Sequence, residues 1–291
     1  MPVNDELGKR MKENYESVPK TKLMRRTPVA IRIDGKAFHT FTRGFEKPFD
    51  KVLIKSMQET MKYLCEHIQG CVFGYTQSDE ITLILVDYKN LNSSAWFDYE
   101  VQKMCSIAAS MATMAFNKSF AKAFNEWTQD YLLSYGKLKP EKETTNKNLM
   151  ELHKVYRNAL ENGAMFDARV FNIPKEEVTN LIYWRQLDAT RNSIQMVGQA
   201  NFSHKELQNK SCNIIQDMLI TEKGINWNNY PTHQKRGSCC IKMYQTDESV
   251  WQSHAEDKLM PNGRTMWVID TEIPVFKGEH RSYIEELINF E

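Results

Sequence analysis

Val29-Ala30-Ile31-Arg32-Ile33-Asp34-Gly35-Lys36 is the stretch on which the reading of this chain turns. Val29, Ile31 and Ile33 alternate with other residues, as in a strand with one buried face. The run ends on a carboxylate, Asp34, followed by glycine. Downstream, Pro48 and Asp50 suit a helix start. Leu53, Met57, Met61 and Leu64 then recur at helical spacing, and Gly70 can end that helix. Residues 71–75 and 81–86 read as the strands of a hairpin, with Gln77-Ser78-Asp79-Glu80 at or beside its turn. A long helix is expected from about residue 95 to 120, with Val101, Met104, Cys105, Ala108, Met111, Ala112 and Ala115 as its inner stripe. Residues 166–171 supply a fourth strand. The order β-α-β-β-α-β is the split, ferredoxin-like arrangement. It predicts an α+β fold with a four-stranded antiparallel sheet and both helices on one face. That order can bring Asp34 and Asp79 side by side at neighbouring strand ends.

The rest of the chain is placed around this unit. Residues 5–16 look helical. Residues 123–162 interrupt the order as an insertion, with a polar loop over 137–146 and a helix over 149–160. Past Pro174 the character changes. Residues 175–200 read as helix, Ser203 and Glu206 fit a capping box, and 211–223 fit a further helix closed by Gly224. Strand-like runs follow near 239–244 and 265–270. The expected division is a first domain over 1–173, built on that unit, and, over 174–291, a helical module with a small β element; the catalytic and RNA-contacting roles of the two are what the resemblance given below implies.

Composition frames the chemistry. The chain has 291 residues, enough for a sizeable core, with 41% hydrophobic and 26% charged residues. Lys plus Arg (38) nearly balances Asp plus Glu (37), so net charge does not select a partner. Local charge is more informative. From Lys20 to Lys47 there are eight bases and two acids, Asp34 and Glu46, which suits an anionic ligand. The six cysteines, Cys65, Cys71, Cys105, Cys212, Cys239 and Cys240, form no C-x-x-C pair and read as reduced residues of a cytoplasmic protein. No apolar run approaches the roughly 20 residues that span a bilayer, so no membrane association is expected.

Two carboxylates held side by side repel unless a cation lies between them. Paired divalent metals on such carboxylates are the common machinery of phosphoryl transfer. Glycine after Asp34 lets backbone approach a ligand closely, and the following turn can aim N–H groups at phosphates. Lys36 and Lys47 are candidates to offset triphosphate charge and Ser78 to donate a hydrogen bond. His39 and Phe38 are candidates to stack on a base, although Phe38 also suits a core and Asp-Gly also suits a plain turn.

Three blocks carry a resemblance. They are Arg32-Ile33-Asp34-Gly35-Lys36-Ala37-Phe38-His39-Thr40-Phe41, Gly44-Phe45-Glu46-Lys47-Pro48-Phe49-Asp50 and Tyr75-Thr76-Gln77-Ser78-Asp79-Glu80. Together they resemble the tRNA-His guanylyltransferase superfamily. Trp184-Arg185-Gln186-Leu187-Asp188 is similar to a further signature of that family, and Asn228 to Pro231 with Lys235-Arg236-Gly237 to a late basic segment. The resemblance implies a palm that adds nucleotides to a tRNA 5′ end in the 3′–5′ direction. Asp34 and Asp79, with the Gly35 carbonyl, would hold two Mg²⁺ ions. N–H groups of Lys36, Ala37, Phe38 and His39, with Lys47 and Ser78, would hold a triphosphate of ATP or GTP, and Lys103 a second nucleotide. Arg185, Asn192, Lys235 and Arg236 would face RNA. A homotetramer is also implied.

Members restricted to histidine tRNA carry a His-Ile-Asn run just after the Trp-Arg-Gln segment. This chain has Thr190-Arg191-Asn192-Ser193 there. It therefore resembles the guanylyltransferase-like branch, which repairs 5′-truncated tRNAs on the opposite strand as template. Glu100 also stands where that family tends to carry a base. Another palm-type nucleotidyltransferase or cyclase, or a non-catalytic RNA-binding protein, are the alternative readings.

Overall fold

Strand β1 (Val29–Gly35) is the axis of the molecule. Val29, Ile31 and Ile33 are buried on one side of it and Ala30 on the other. The computed structural model describes residues 5–135, 143–245, 251–252 and 265–290. After α1 (Glu6–Met11), β1 is followed by a short helix α2 (Phe38–Phe41) and by α3 (Lys51–His67), which Asp50 caps by accepting from the Leu53 N–H. The hairpin β2 (Cys71–Gln77) and β3 (Glu80–Leu85) comes next. Then follow α4 (Val101–Tyr135), α5 (Glu143–Asn162) and β4 (Phe166–Asn172). The C-terminal part holds α6 (Lys175–Asn201), α7 (His204–Leu207), α8 (Cys212–Lys223), α9 (Thr232–Arg236), β5 (Ser238–Gln245), β6 (Trp251–Gln252), β7 (Thr265–Asp270) and α10 (Ser282–Ile288).

The four expected strands pair in the order β4-β1-β3-β2, all antiparallel. Helices α3 and α4 cover one face. Their Met57, Met61, Leu64, Met104, Ala108 and Phe116 pack on Ile31, Ile33, Ile81 and Leu83. Each fully buried side chain of this size contributes about 1.5–3 kcal/mol. The other face is covered by α6 and α10, where Val178, Ile182 and Ile284 meet Ala30, Phe73, Tyr75 and Ile84. A smaller cluster joins the second half of α6 to α8 through Ile194, Val197, Ile215 and Leu219.

Three expectations need correction. Among the described residues the sheet has seven strands, because β5 pairs with β2, and both β7 and β6 pair with β5. The C-terminal β element therefore extends the first sheet. Cys239 and Cys240 are buried on opposite faces, so β5 has the two dry sides of an interior strand. Gly237 (φ +84°) admits the chain there, since an added Cβ would lie 2.5 Å from the Thr76 carbonyl oxygen.

Second, the long helix begins at Val101, not near residue 95, because Phe97, Asp98 and Tyr99 all take left-handed backbone. It also runs on to Tyr135, into the expected insertion. Third, α5 starts at Glu143, so 143–146 are helical, while 137–142 of the expected loop lie outside the described residues. The Ser203–Glu206 capping box and the Gly224 helix end are present. Among the described residues no helix is long and apolar enough to cross a membrane, and all six cysteines are free thiols.

Candidate active site

The site forms where β1 runs out beside the β2–β3 turn. That turn is only Ser78-Asp79, with Ser78 in left-handed backbone (φ +51°). The Gly35 N–H donates to the Asp79 carbonyl at 3.1 Å and ties the two strand ends together. Across the ladders, Asp34 stands opposite Glu80 on one side and Asp167 on the other. These side chains belong to the α6 face of the sheet, since Val29, Ile31 and Ile33 point to α3 and α4.

The electrostatics are those of acids crowded together. Burial pushes the Asp34 carboxyl above its ordinary value, and Glu80 and Asp167 add to the rise. Arg169, 3.7 Å from Asp34 and 3.6 Å from Asp167, opposes it together with Arg32. The Asp79 carboxyl is likewise pushed up by burial, with Asp34 and Glu80 contributing. The Ser78 hydroxyl, donating to Asp79 Oδ1 at 3.0 Å, pulls the other way. A cation relieves such a pair.

Among the described residues no group of three His, Cys, Asp or Glu side chains is arranged to hold a metal. Asp34 and Asp79, both raised by burial and neighbouring acids, fit Mg²⁺, which takes one or two carboxylates and fills its shell with water and phosphate oxygens. Asp34, Asp79 and the Gly35 carbonyl are the groups that would hold it.

The loop after Asp34 is shaped differently from the expectation. The Lys36 N–H donates to the Met165 carbonyl at 2.8 Å and is not free for a phosphate. Ala37 is left-handed (φ +55°) and opens α2, and among the described residues the N–H groups of Ala37, Phe38 and His39 make no hydrogen bond. The Phe38 ring is no base platform. It is buried, with ring centroids 5.1 Å from Phe41, 5.5 Å from Phe116 and 5.1 Å from Phe166. Gly35 makes room for that ring, since an added Cβ would sit 2.2 Å from Phe38 Cδ2. Lys36, His39, Lys47 and Ser78 are exposed.

Several predicted contacts are placed elsewhere. Lys103 sits near the start of α4 with its ammonium 5.0 Å from the Phe97 ring centroid, close to the Lys22–Glu100 bridge. Cys105 lies against the Val170 backbone and Thr113 accepts from the Phe166 N–H. Helix α4 therefore starts toward the far end of the sheet. It reaches the Asp34 end about 15 Å later, at a rise of about 1.5 Å per residue. Within one chain Lys103 does not join the carboxylates.

Arg185 is buried, with 6% of its side chain exposed. It pairs with Glu80 at 2.5 Å and Asp188 at 2.9 Å. Gln186 donates to the Pro274 carbonyl and accepts from the Phe276 N–H, so it anchors the C-terminal segment. Asn192 is half-buried and donates to Asp188. Lys235 is half-buried and donates to the Asn228 carbonyl at 2.6 Å. Arg236 is half-buried with its Nε enclosed and unpaired, and its carbonyl accepts from the Tyr75 hydroxyl. All four side chains or backbones expected to face RNA are thus engaged in contacts within the chain, except the enclosed Arg236 Nε. The sequence reading missed Asp167 and Arg169. Their only signal was the alternation along residues 166–171, which puts both on the face of Asp34 once β4 pairs with β1.

Residues 8–174, more than half of the chain, match the family model described as Thg1: tRNAHis guanylyltransferase. A solved bacterial tRNA(His) guanylyltransferase (Thg1)-like protein in complex with ATP is 36% identical, with a TM-score of 0.74 over 98% of this chain and 100% of that one. A solved complex of such a bacterial protein with GTP gives 35% identity and a TM-score of 0.69 at the same coverage. The tRNA(His) guanylyltransferase of Saccharomyces cerevisiae is 26% identical over 72% of this chain and 80% of its own.

Proposed function

This chain belongs to the tRNAHis guanylyltransferase family, a family of nucleotidyltransferases, and on that premise we propose that it extends the 5′ end of truncated tRNA. Addition runs in the 3′–5′ direction and is templated by the opposite strand. The observation that carries this reading is the meeting of Asp34 and Asp79, bound together through Gly35, at one end of a palm-type sheet.

The mechanism uses the chain's own groups as follows. Asp34 and Asp79, with the Gly35 carbonyl, present negative charge to the reacting phosphate's counter-ions. Two Mg²⁺ ions bound there would lower charge build-up on the attacked phosphate and ease deprotonation of the attacking hydroxyl. The open N–H groups of Ala37, Phe38 and His39 point a triphosphate at this end. Ser78 and Lys47 supply further donors. ATP adenylates a 5′-monophosphate end and releases pyrophosphate. The 3′ hydroxyl of an incoming nucleoside triphosphate then attacks that 5′ phosphate and AMP leaves. An end that already carries a triphosphate loses pyrophosphate instead.

Relaxed tRNA choice is supported by the Thr190–Ser193 segment. Thr190 donates to the Gln186 carbonyl, and Ser193 accepts from Trp227 Nε1 at 3.1 Å, so both are tied into the α6 packing. No histidine stands there to read an anticodon. A homotetramer acting in the cytosol belongs to the same reading.

The test is incubation with Mg²⁺, each nucleoside triphosphate and a tRNA lacking its first 5′ nucleotide. The complementary nucleotide is incorporated, whether or not the tRNA is a histidine tRNA, and Asp34→Ala and Asp79→Ala incorporate none. No extension, or activity in both variants, overturns the reading. A cyclic nucleotide formed without RNA would point to a cyclase instead.

A further inference from the structure

The second half of α6 carries a cleft that the carboxylate site does not use. Helix α6 follows β4, so it starts at the far end of the sheet and runs toward the Asp34 end. Arg185 meets Glu80 at that end. Gln195 and Gln199 lie ten and fourteen residues further on, about 15 and 21 Å along the axis. They form one wall of a cavity of about 420 Å³. Phe202 and Ile215, both buried, form its floor, and Lys47 and Lys210 stand at its rim. Among the described residues no carboxylate lines it.

We propose that this cleft holds one unpaired nucleotide of an RNA strand, the single-stranded 3′ tail beside the 5′ end being extended. The inference rests on the proposed function. Three features carry it. The Lys210 ammonium, with no acid among the described lining residues, suits a phosphate, and Lys47 stands between this cleft and the triphosphate. The carboxamides of Gln195 and Gln199 offer donors and acceptors to an exposed base edge, and the apolar floor suits a base face. The volume suits a ligand the size of one nucleotide, whereas a duplex is far too wide. Position then favours a tail over a free nucleotide. The 3′ strand of an acceptor stem leaves the duplex next to the 5′ phosphate, and this cleft lies beyond the same end of the sheet as Asp34 and Asp79.

The test compares two stem-loop RNAs, one with a short unpaired 3′ tail and one blunt, by fluorescence anisotropy at fixed salt. The wild-type protein binds the tailed RNA about tenfold more tightly. The double variant Gln195→Ala/Gln199→Ala and, separately, Lys210→Ala lose most of that preference while keeping wild-type affinity for the blunt RNA and an unchanged melting temperature. Equal binding of both RNAs by the wild type, or full preference retained in both variants, overturns the inference while leaving the proposed function standing. Loss of the preference on adding excess ATP overturns it too, because the cleft would then hold a free nucleotide. Failure to bind either RNA overturns the proposed function and this inference together.

Discussion

The Asp34–Asp79 end of the sheet and the Arg185 cluster stand next to each other and use the same kinds of side chain to opposite effect. At the first, Asp34, Asp79 and Asp167 crowd together with one exposed arginine, Arg169, against them, and both Asp34 and Asp79 are pushed above the ordinary carboxyl value. At the second, Arg185 is enclosed between Glu80 and Asp188, with Arg32 also 3.4 Å from Glu80. Asp79 and Glu80 are consecutive, yet they fall on different sides of this divide. Glu80 already has its cations from within the chain, while Asp79 has neutral donors, the Ser78 hydroxyl and a backbone N–H. A carboxylate that the fold neutralises holds the fold together. One that the fold leaves unneutralised is available to a metal and a phosphate.

The largest expected effects break this comparison most directly. Asp34→Ala and Asp79→Ala each take 5′ addition below detection, a loss of at least about two to three orders of magnitude. Their melting temperatures stay level or rise, because repulsion is removed. A drop in melting temperature would make these acids structural, like Glu80. Arg185→Ala is expected to act in the reverse sense. It leaves Glu80 with only Arg32 and Asp188 with only Arg191 as cationic partners, and costs about 1–3 kcal/mol of stability in denaturant unfolding. If Arg185→Ala unfolds like the wild type but loses RNA affinity, Arg185 is a ligand contact after all.

The same divide explains what could be read from the chain. The β-α-β-β-α-β order was legible because Val29, Ile31 and Ile33 alternate and α3 repeats its apolar residues at helical spacing. So were Asp34 and Asp79, through their place at strand ends. The pairing of β5 with β2 was not, because nothing local distinguishes a strand at 238–245 that joins the first sheet from one that forms its own. Nor was the fate of Arg185, since a motif gives the charge but not the burial. The separation of Lys103 from the carboxylates was not legible for a related reason. Position along α4 fixes its height on the sheet, and that height follows from where Thr113 meets Phe166.

Gly35 sharpens the comparison at an intermediate scale. Its absent side chain serves packing and chemistry together, because the Phe38 ring fills the space a Cβ would need. Gly35→Ala is expected to cost about 1–3 kcal/mol through overpacking, read in denaturant unfolding. It also lowers 5′ addition, because the Gly35 N–H sets the position of Asp79. Trimming the ring in Gly35→Ala/Phe38→Leu recovers part of both losses. Recovery of stability with no recovery of addition would assign Gly35 to the ligand, as the sequence alone suggested.

The smallest effect is the most specific to unneutralised acids. A carboxyl whose folded pKa is raised binds its proton more tightly when folded. Its contribution to stability is therefore greatest below the unfolded value, near 3.8, and is lost as pH rises through the raised folded value. The unfolding free energy of the metal-free protein, minus that of Asp34→Asn/Asp79→Asn, is expected to fall as pH rises from the acid side of that window and then to level off toward neutrality. Mg²⁺ is expected to flatten the fall, because a cation pairs the charged forms that otherwise repel. A difference that grows with pH in the absence of metal would mean that the fold itself stabilises both charges. Asp34 and Asp79 would then stand with Glu80, among the acids that hold the structure together.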